Sequence, residues 1–182
     1  MTISKVENLE LSLFLGDLTR VVNFNEDLPG NVFKGEMRFW FFERPLLAYL
    51  DIFSGLVSTS VACFESEVYI KFSGRELLSG SCFSLDGREV SRDVEWLSRS
   101  FESFFEGQVG YPIIFCDKKF RWVAYESAYE EFGVIAVKES LFEMGFHDYL
   151  SSNFISVSEL GSLASGASIE NMIAKALIAS YS

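Results

Sequence analysis

The chain has 182 residues, a formal net charge of −11, a single histidine and an aromatic content of 16%. Its hydrophobic fraction of 49% supplies enough apolar surface to offset chain entropy, which excludes a disordered chain and predicts one globular domain over residues 1–182. The negative charge argues against nucleic acid as a direct ligand, because phosphate binding requires a basic surface. A negative field instead attracts cationic partners.

The first half of the chain predicts short strands around one ambiguous segment. Residues 23–35 are rich in turn formers and predict a loop, and the aromatic run at residues 36–42 predicts a strand buried on both faces. Residues 45–64 combine a helical spacing of apolar side chains with many serine, threonine and glycine residues, so helix and strand both stay open. The polar content of this segment favours a buried core element over a membrane span.

The second half predicts amphipathic helices and a three-stranded antiparallel meander. Apolar side chains recur at three- and four-residue steps in the predicted helices, and short apolar runs separated by polar turns predict the strands. The predicted helices cover residues 91–106, 140–150 and 168–181.

Over the whole chain, the predicted strands cover residues 36–42, 67–73, 82–85, 113–116, 120–126 and 133–137. These elements predict an α+β fold, with a mainly antiparallel sheet and helices packed on one face.

Side chains that usually perform catalysis near neutral pH are scarce. A Ser-His-Asp or Cys-His centre needs a base, and His147 is the single histidine, for which we expect a surface or half-buried position. The three cysteines are widely spaced and match no metal motif, which suits reduced, buried thiols in a cytosol. The chain start lacks a signal-peptide pattern. The sequence therefore predicts a non-enzymatic, cytoplasmic protein without a metal or cofactor.

One local cluster can carry a function: Glu126, Glu130 and Glu131, interleaved with Tyr125 and Tyr129. It lies in residues 122–182, which hold eight acidic and two basic side chains and so more than half of the net charge. The carboxylates are either an acid–base pair acting on a sugar or an acidic, aromatic contact patch for a basic partner. We favour the patch, because adjacent Glu130 and Glu131 alternate faces in an extended chain. A solvated turn beside core aromatics is the simplest alternative.

Residues 115–138, FCDKKFRWVAYESAYEEFGVIAVK, resemble a pattern of small acidic bacterial immunity proteins from contact-dependent inhibition and related polymorphic toxin systems. In those proteins an apolar strand, a turn, an aromatic strand with Trp-x-x-Tyr and a further apolar strand recur, and Trp122 and Tyr125 take those places here. The resemblance implies a cognate toxin, often a nuclease, that is bound tightly enough to block its active site or its substrate path.

The sequence therefore predicts an inhibitor that neutralises a cationic toxin through an acidic surface, without binding nucleic acid or membrane. Its oligomeric state stays open. Two alternatives also stay open: a ligand-binding or scaffold domain with an aromatic pocket, and a small enzyme that uses carboxylates alone. A concentrated acidic surface favours the inhibitor, an aromatic cavity of several hundred Å³ favours the binding domain, and two facing carboxyls in a cleft favour the enzyme.

Overall fold

The structure is a computed structural model that describes residues 2–104, 110–140, 143–165 and 168–182, the side chains of residues 101–104 excepted. Within those ranges eight strands form one antiparallel sheet in the order β1-β4-β3-β5-β6-β7-β2-β8. The strands are β1 (Ser4–Lys5), β2 (Met37–Glu43), β3 (Val68–Lys71), β4 (Cys82–Leu85), β5 (Ile113–Asp117), β6 (Trp122–Glu126), β7 (Phe132–Lys138) and β8 (Ile155–Ser156).

Helices cover both faces of this sheet. They are α1 (Asn8–Val21), α2 (Leu50–Phe64), α3 (Val90–Phe104), α4 (Met144–Asn153), α5 (Val157–Leu163) and α6 (Ile169–Tyr181), and a short 3₁₀ turn, Leu46–Ala48, precedes α2. One hydrophobic core lies between the sheet and α1, α5 and α6. A second core lies between the opposite face and α2, α3 and α4.

The α+β class and the antiparallel sheet are confirmed, but the prediction that the helices pack on one face is wrong. The helices predicted at residues 91–106 and 168–181 correspond to α3 and α6, which lie on opposite faces; residues 105–106 of the first prediction lie outside the described ranges. The physical reason is in β6, whose successive side chains alternate between the cores: Trp122 and Ala124 face one, and Val123 and Tyr125 face the other. A strand with four successive apolar or aromatic side chains, two on each face, needs cover on both sides.

The meander is confirmed as β5, β6 and β7, and the ambiguous segment at residues 45–64 forms the 3₁₀ turn and α2. Phe53, Leu56 and Val57 of α2 are fully buried, which confirms a core element. Ser60 does not break this helix, because its hydroxyl accepts a hydrogen bond from the Trp122 indole N–H at 2.7 Å. None of the helices in the described ranges is long and apolar enough to cross a membrane.

Two buried charged residues stabilise the ends of strands. Asp117, at the end of β5, is fully buried and accepts hydrogen bonds from Arg121 Nε at 2.7 Å and from the Lys119 and Trp122 backbone N–H groups. Lys71, at the end of β3, is also fully buried. Its ammonium donates to the Glu76 carbonyl oxygen and to Ser81 Oγ, both at 2.7 Å, and burial lowers the pKa of Lys71 to about 8.

Candidate functional site

The structure separates the predicted contact residues into two groups. Tyr125 and Glu126 belong to β6 and are only 2% and 3% exposed, so their predicted role in a surface patch is wrong. The reason is that β6 lies in the middle of the sheet, where both faces carry helices. Glu131 is exposed, Tyr129 is 72% exposed, and Glu130 is half-buried. The turn at residues 127–131 is therefore the accessible part of the predicted patch.

Glu126 instead supports the fold. Its Oε2 accepts a hydrogen bond from the Leu46 backbone N–H at 2.9 Å, which ties β6 to the 3₁₀ turn before α2. Burial raises the pKa of Glu126 to about 7, against the smaller lowering effects of that hydrogen bond and of the nearby Arg44 charge. A carboxyl with a raised pKa is what a carboxylate enzyme needs, but this one lies in the interior and not in a cleft that a sugar enters.

The turn that follows Glu126 is fixed by hydrogen bonds to Ser127. The Ser127 hydroxyl donates to Asp27 Oδ2 at 3.0 Å and accepts from the Tyr129 backbone N–H at 3.1 Å. The Ser127 carbonyl oxygen accepts from Arg44 Nη1. These contacts hold the backbone of the turn, so that the side chains of Tyr129 and Glu131 project into solvent in a defined place.

Glu131 lines a pocket at the end of β2, with a volume of about 360 Å³, that we call the acidic pocket. Three carboxylates from distant parts of the chain meet there: Glu43 at the end of β2, Glu131 before β7, and Glu170 in the first turn of α6. The full lining is Glu43, Arg44, Glu131, Phe132, Leu163, Glu170, Asn171 and Ala174.

Local hydrogen bonds position each wall of the acidic pocket. The Arg44 backbone N–H donates to the Glu131 carbonyl oxygen at 3.0 Å and continues the β2–β7 ladder. Ser168 caps α6 reciprocally with Asn171, and the Asn171 side chain donates to the Leu163 carbonyl oxygen of α5. A carboxylate in the first turn of a helix faces the positive end of the helix dipole, which favours Glu170 at its position.

The three carboxylates of the acidic pocket have few partners in the described chain; the Glu43 carboxylate accepts a hydrogen bond from the Tyr49 hydroxyl at 3.2 Å. Within the described ranges none of them forms an ion pair with a lysine, arginine or histidine. Arg44 is the cation in the lining, and its guanidinium donates to the Ser127 carbonyl oxygen. The described residues also contain no cluster of three or more His, Cys, Asp or Glu side chains that can hold a metal ion. The pocket therefore presents negative charge to whatever approaches it.

Exposed apolar side chains accompany this charge. Leu163, in the pocket lining, is 49% exposed, and Ile169 and Met172, which flank Glu170 and Asn171 in α6, are 75% and 64% exposed. The sequence pattern groups Ile169 and Met172 with the buried stripe of α6, but the buried stripe is Ala174, Leu177 and Tyr181. The acidic pocket therefore lies beside exposed apolar side chains, a combination that occurs at protein-binding surfaces.

Two cavities with aromatic side chains in their lining bear on the ligand-binding alternative. The one lined in part by Phe41, Phe42 and Phe154 has a volume of about 160 Å³, below the roughly 300–1,000 Å³ of typical small-molecule sites. A groove of about 830 Å³ at the β2 edge is large enough, but its lining mixes aromatic side chains with charged ones and is not an apolar aromatic pocket. Most phenylalanine rings of the described chain fill the two cores instead, for example Phe53 against Phe115 and Phe64 against Phe146.

Sequence reasoning found Glu131 but missed Glu43, Arg44 and Glu170. These residues come from separate elements and are brought together only by the pairing of β2 with β7 and the docking of α5 and α6, so no local pattern in the sequence predicts their meeting. Comparisons of the chain with protein-family models, with curated proteins and with solved structures found no match.

Proposed function

We propose that this protein is a non-enzymatic, cytoplasmic inhibitor of the immunity type, which neutralises a cationic protein toxin by binding it at the acidic pocket. The supporting observation is the convergence of Glu43, Glu131 and Glu170, without ion-pair partners in the described chain, beside the exposed side chains of Leu163, Ile169 and Met172. The toxin class that fits this chemistry best is a nuclease.

The physical argument rests on competition for the same cations. A nuclease lines its substrate groove with lysine and arginine to hold phosphates. An acidic surface of a second protein attracts those side chains at long range and pairs with them on contact, which excludes the nucleic acid. The apolar side chains around the acidic pocket add desolvated contact area, which gives such a complex its slow dissociation.

The test is a quantitative capture experiment in extracts of the source cell. The immobilised protein is compared with a triple variant in which Glu43, Glu131 and Glu170 are each replaced by lysine. The matched control replaces Asp51, Glu95 and Asp148, three exposed acids on the helices of the other face, and so changes the net charge equally.

We expect a basic protein that binds the wild type and the control but not the pocket variant. Expression of that protein in cells should be toxic, and co-expression of the wild type should abolish the toxicity. Equal loss of binding in both variants would show a nonspecific charge effect, and retained binding in the pocket variant would remove the acidic pocket from the proposal. A captured protein that is not toxic would contradict the immunity role and leave only the binding surface.

A further inference from the structure

The edge of the sheet at β2 is only partly covered. β7 pairs with β2 along its whole length, from Met37 to Glu43. On the other side β8 pairs with Trp40 and Phe41 alone, and the chain then enters α5. In the described chain no strand therefore pairs with the outer side of residues 37–39.

The hydrogen-bond pattern shows which backbone groups of this segment face outward. Lys138 lies opposite Met37 but donates its N–H to the Arg121 carbonyl oxygen on its far side, so Met37 and Lys138 form a non-hydrogen-bonded pair. Bonded and non-bonded pairs alternate along an antiparallel ladder. Arg38 therefore bonds to β7, whereas the N–H and C=O of Met37 and the N–H of Phe39 point away from it. No side chain or loop of the described chain hydrogen-bonds to these three groups.

The outward groups open into a groove of about 830 Å³. Its base is the uncovered part of β2, and its walls are α4, with His147 and Ser151, and the end of α6, with Tyr181. The base is held by packing on both faces: the Phe39 ring contacts the Tyr181 ring at a centroid distance of 4.9 Å, and the Trp40 ring contacts His147 at 5.2 Å. The groove is therefore formed before any partner arrives, and its width is set by the two helices.

We propose that this groove receives an extended segment of a partner protein, which adds a strand to the sheet at residues 37–39 in line with β8. Unpaired backbone groups at a sheet edge are a template for another extended chain, and the match of N–H to C=O does not depend on the side chains of the partner. Because β8 already occupies the neighbouring part of this edge, the incoming strand continues an existing row of pairing.

The charge of the groove lining indicates which kind of partner segment it favours. Glu36 and Glu139 lie in the groove lining with Arg38, whose Nε is 3.7 Å from Glu139 Oε1. Two carboxylates and one guanidinium leave the lining negative, and the whole chain carries −11. The segment that fits is therefore one with lysine or arginine side chains.

A second copy of this chain fits less well. Antiparallel self-pairing centred on this segment places Arg38 opposite Arg38, and like charges directly opposite are destabilising. Two copies that each carry −11 also repel one another. The inference concerns a surface separate from the acidic pocket and does not require that the partner is a toxin.

The test measures hydrogen exchange of individual backbone amides in the full chain by NMR. The probe is a capped octapeptide of alternating valine and lysine. In the free protein the amides of Met37 and Phe39 should exchange with solvent faster than those of Arg38 and Trp40, which bond to β7. Saturating peptide should slow exchange at Met37 and Phe39 about tenfold or more, and an alternating valine–glutamate peptide should have a smaller effect.

Two variants at Met37 distinguish the contribution of its backbone N–H to peptide binding from that of its side chain. Met37→Pro removes only the outward N–H, and proline is tolerated at edge positions of that kind. Met37→Ala shortens the same side chain but keeps the N–H, so peptide protection of Phe39 should persist in it and be lost in Met37→Pro. Ser151→Trp, at an exposed position on α4, fills the groove without changing any residue of β2 and should also abolish the protection.

Three results would overturn the proposal. The first is peptide binding that leaves the Met37 and Phe39 amides unprotected. The second is equal protection of Phe39 in the wild type and in Ser151→Trp. The third is protection that rises with protein concentration in the absence of peptide, because it would identify a second copy as the occupant. None of these depends on the acidic pocket, so the capture experiment and this one fail separately.

Discussion

Charged residues in the interior and in the acidic pocket of this protein have opposite surroundings. Asp117 and Lys71 are fully buried, and each has several hydrogen-bond partners; the Glu126 carboxylate is held by the Leu46 N–H. Glu43, Glu131 and Glu170 are exposed, and none has an ion-pair partner in the described chain. The interior groups thus form hydrogen bonds that hold the fold together, whereas the pocket carboxylates contribute little to it and are available to a partner. Substitutions should therefore change stability in the interior and binding at the pocket.

The largest effect on stability is expected at Asp117. Asp117→Ala removes the buried acceptor of the Arg121 Nε–H group and of three backbone N–H groups, those of Lys119, Arg121 and Trp122, which costs about 3–5 kcal/mol. Urea unfolding measures the change. Asp117→Asn keeps an acceptor oxygen and should lose less. A loss below about 1 kcal/mol in Asp117→Ala would show that the buried ion pair does not hold this turn.

Removing the charge of Glu126 should stabilise the protein, in contrast to the loss of stability expected at Asp117. Its pKa rises from 4.5 in the unfolded chain to about 7 in the folded protein, so the folded state is favoured below pH 4.5 and loses stability as the pH rises through 7. Glu126→Gln mimics the protonated side chain and should raise the free energy of unfolding by about 3 kcal/mol at pH 8.

The same substitution should have almost no effect at pH 4, where both states of the wild type carry a protonated Glu126. Unfolding curves of the wild type and of Glu126→Gln between pH 4 and pH 8 provide the comparison. A constant difference across this range would contradict the buried, proton-binding carboxyl.

Lys71 should produce a smaller change in the free energy of unfolding, at alkaline pH. Burial lowers its pKa from 10.5 to about 8, so the unfolded state binds more protons between these values and stability rises with pH in that window. From pH 8 to pH 9.5 the Lys71 contribution should amount to about 1–2 kcal/mol. Lys71→Met should lack this rise. A parallel pH dependence in wild type and variant would show that Lys71 is not the titrating group.

The smallest effect on stability is expected at the pocket itself. Replacing Glu43, Glu131 and Glu170 one at a time by glutamine should change the free energy of unfolding by less than about 0.5 kcal/mol each, because these side chains are exposed and form no ion pair in the described chain, and a glutamine at position 43 can still accept the hydrogen bond from the Tyr49 hydroxyl. Thermal unfolding at neutral pH is sufficient to check this. If any one of these variants loses about 2 kcal/mol in its free energy of unfolding, that carboxylate supports the fold as the interior groups do. The contrast between interior and pocket charges would then not hold for it.

The sequence was most informative where structure is local. The β5–β7 meander was predictable because each strand is an apolar run bounded by a polar turn, and α6 because apolar side chains recur at three- and four-residue steps along it. α1 was missed, and so were β8 and α5, which are short and whose positions depend on contacts with β2.

The acidic pocket could be predicted only in part. Glu131 stood out because it follows two other carboxylates among aromatic residues, whereas Glu43 and Glu170 join it through pairings between distant segments. Tyr125 and Glu126 were assigned to the surface because a local acidic, aromatic pattern does not reveal that β6 is central in the sheet. The error concerns burial, which depends on the whole fold.

Calorimetric titration of the captured cationic protein tests the central claim most directly. The titrants are the wild type, the triple lysine variant at Glu43, Glu131 and Glu170, and the matched variant at Asp51, Glu95 and Asp148. We predict that the pocket variant loses at least about a hundredfold in affinity, that the matched variant loses less than about tenfold, and that added salt weakens the wild-type complex. Equal affinity for the wild type and the pocket variant would contradict the account.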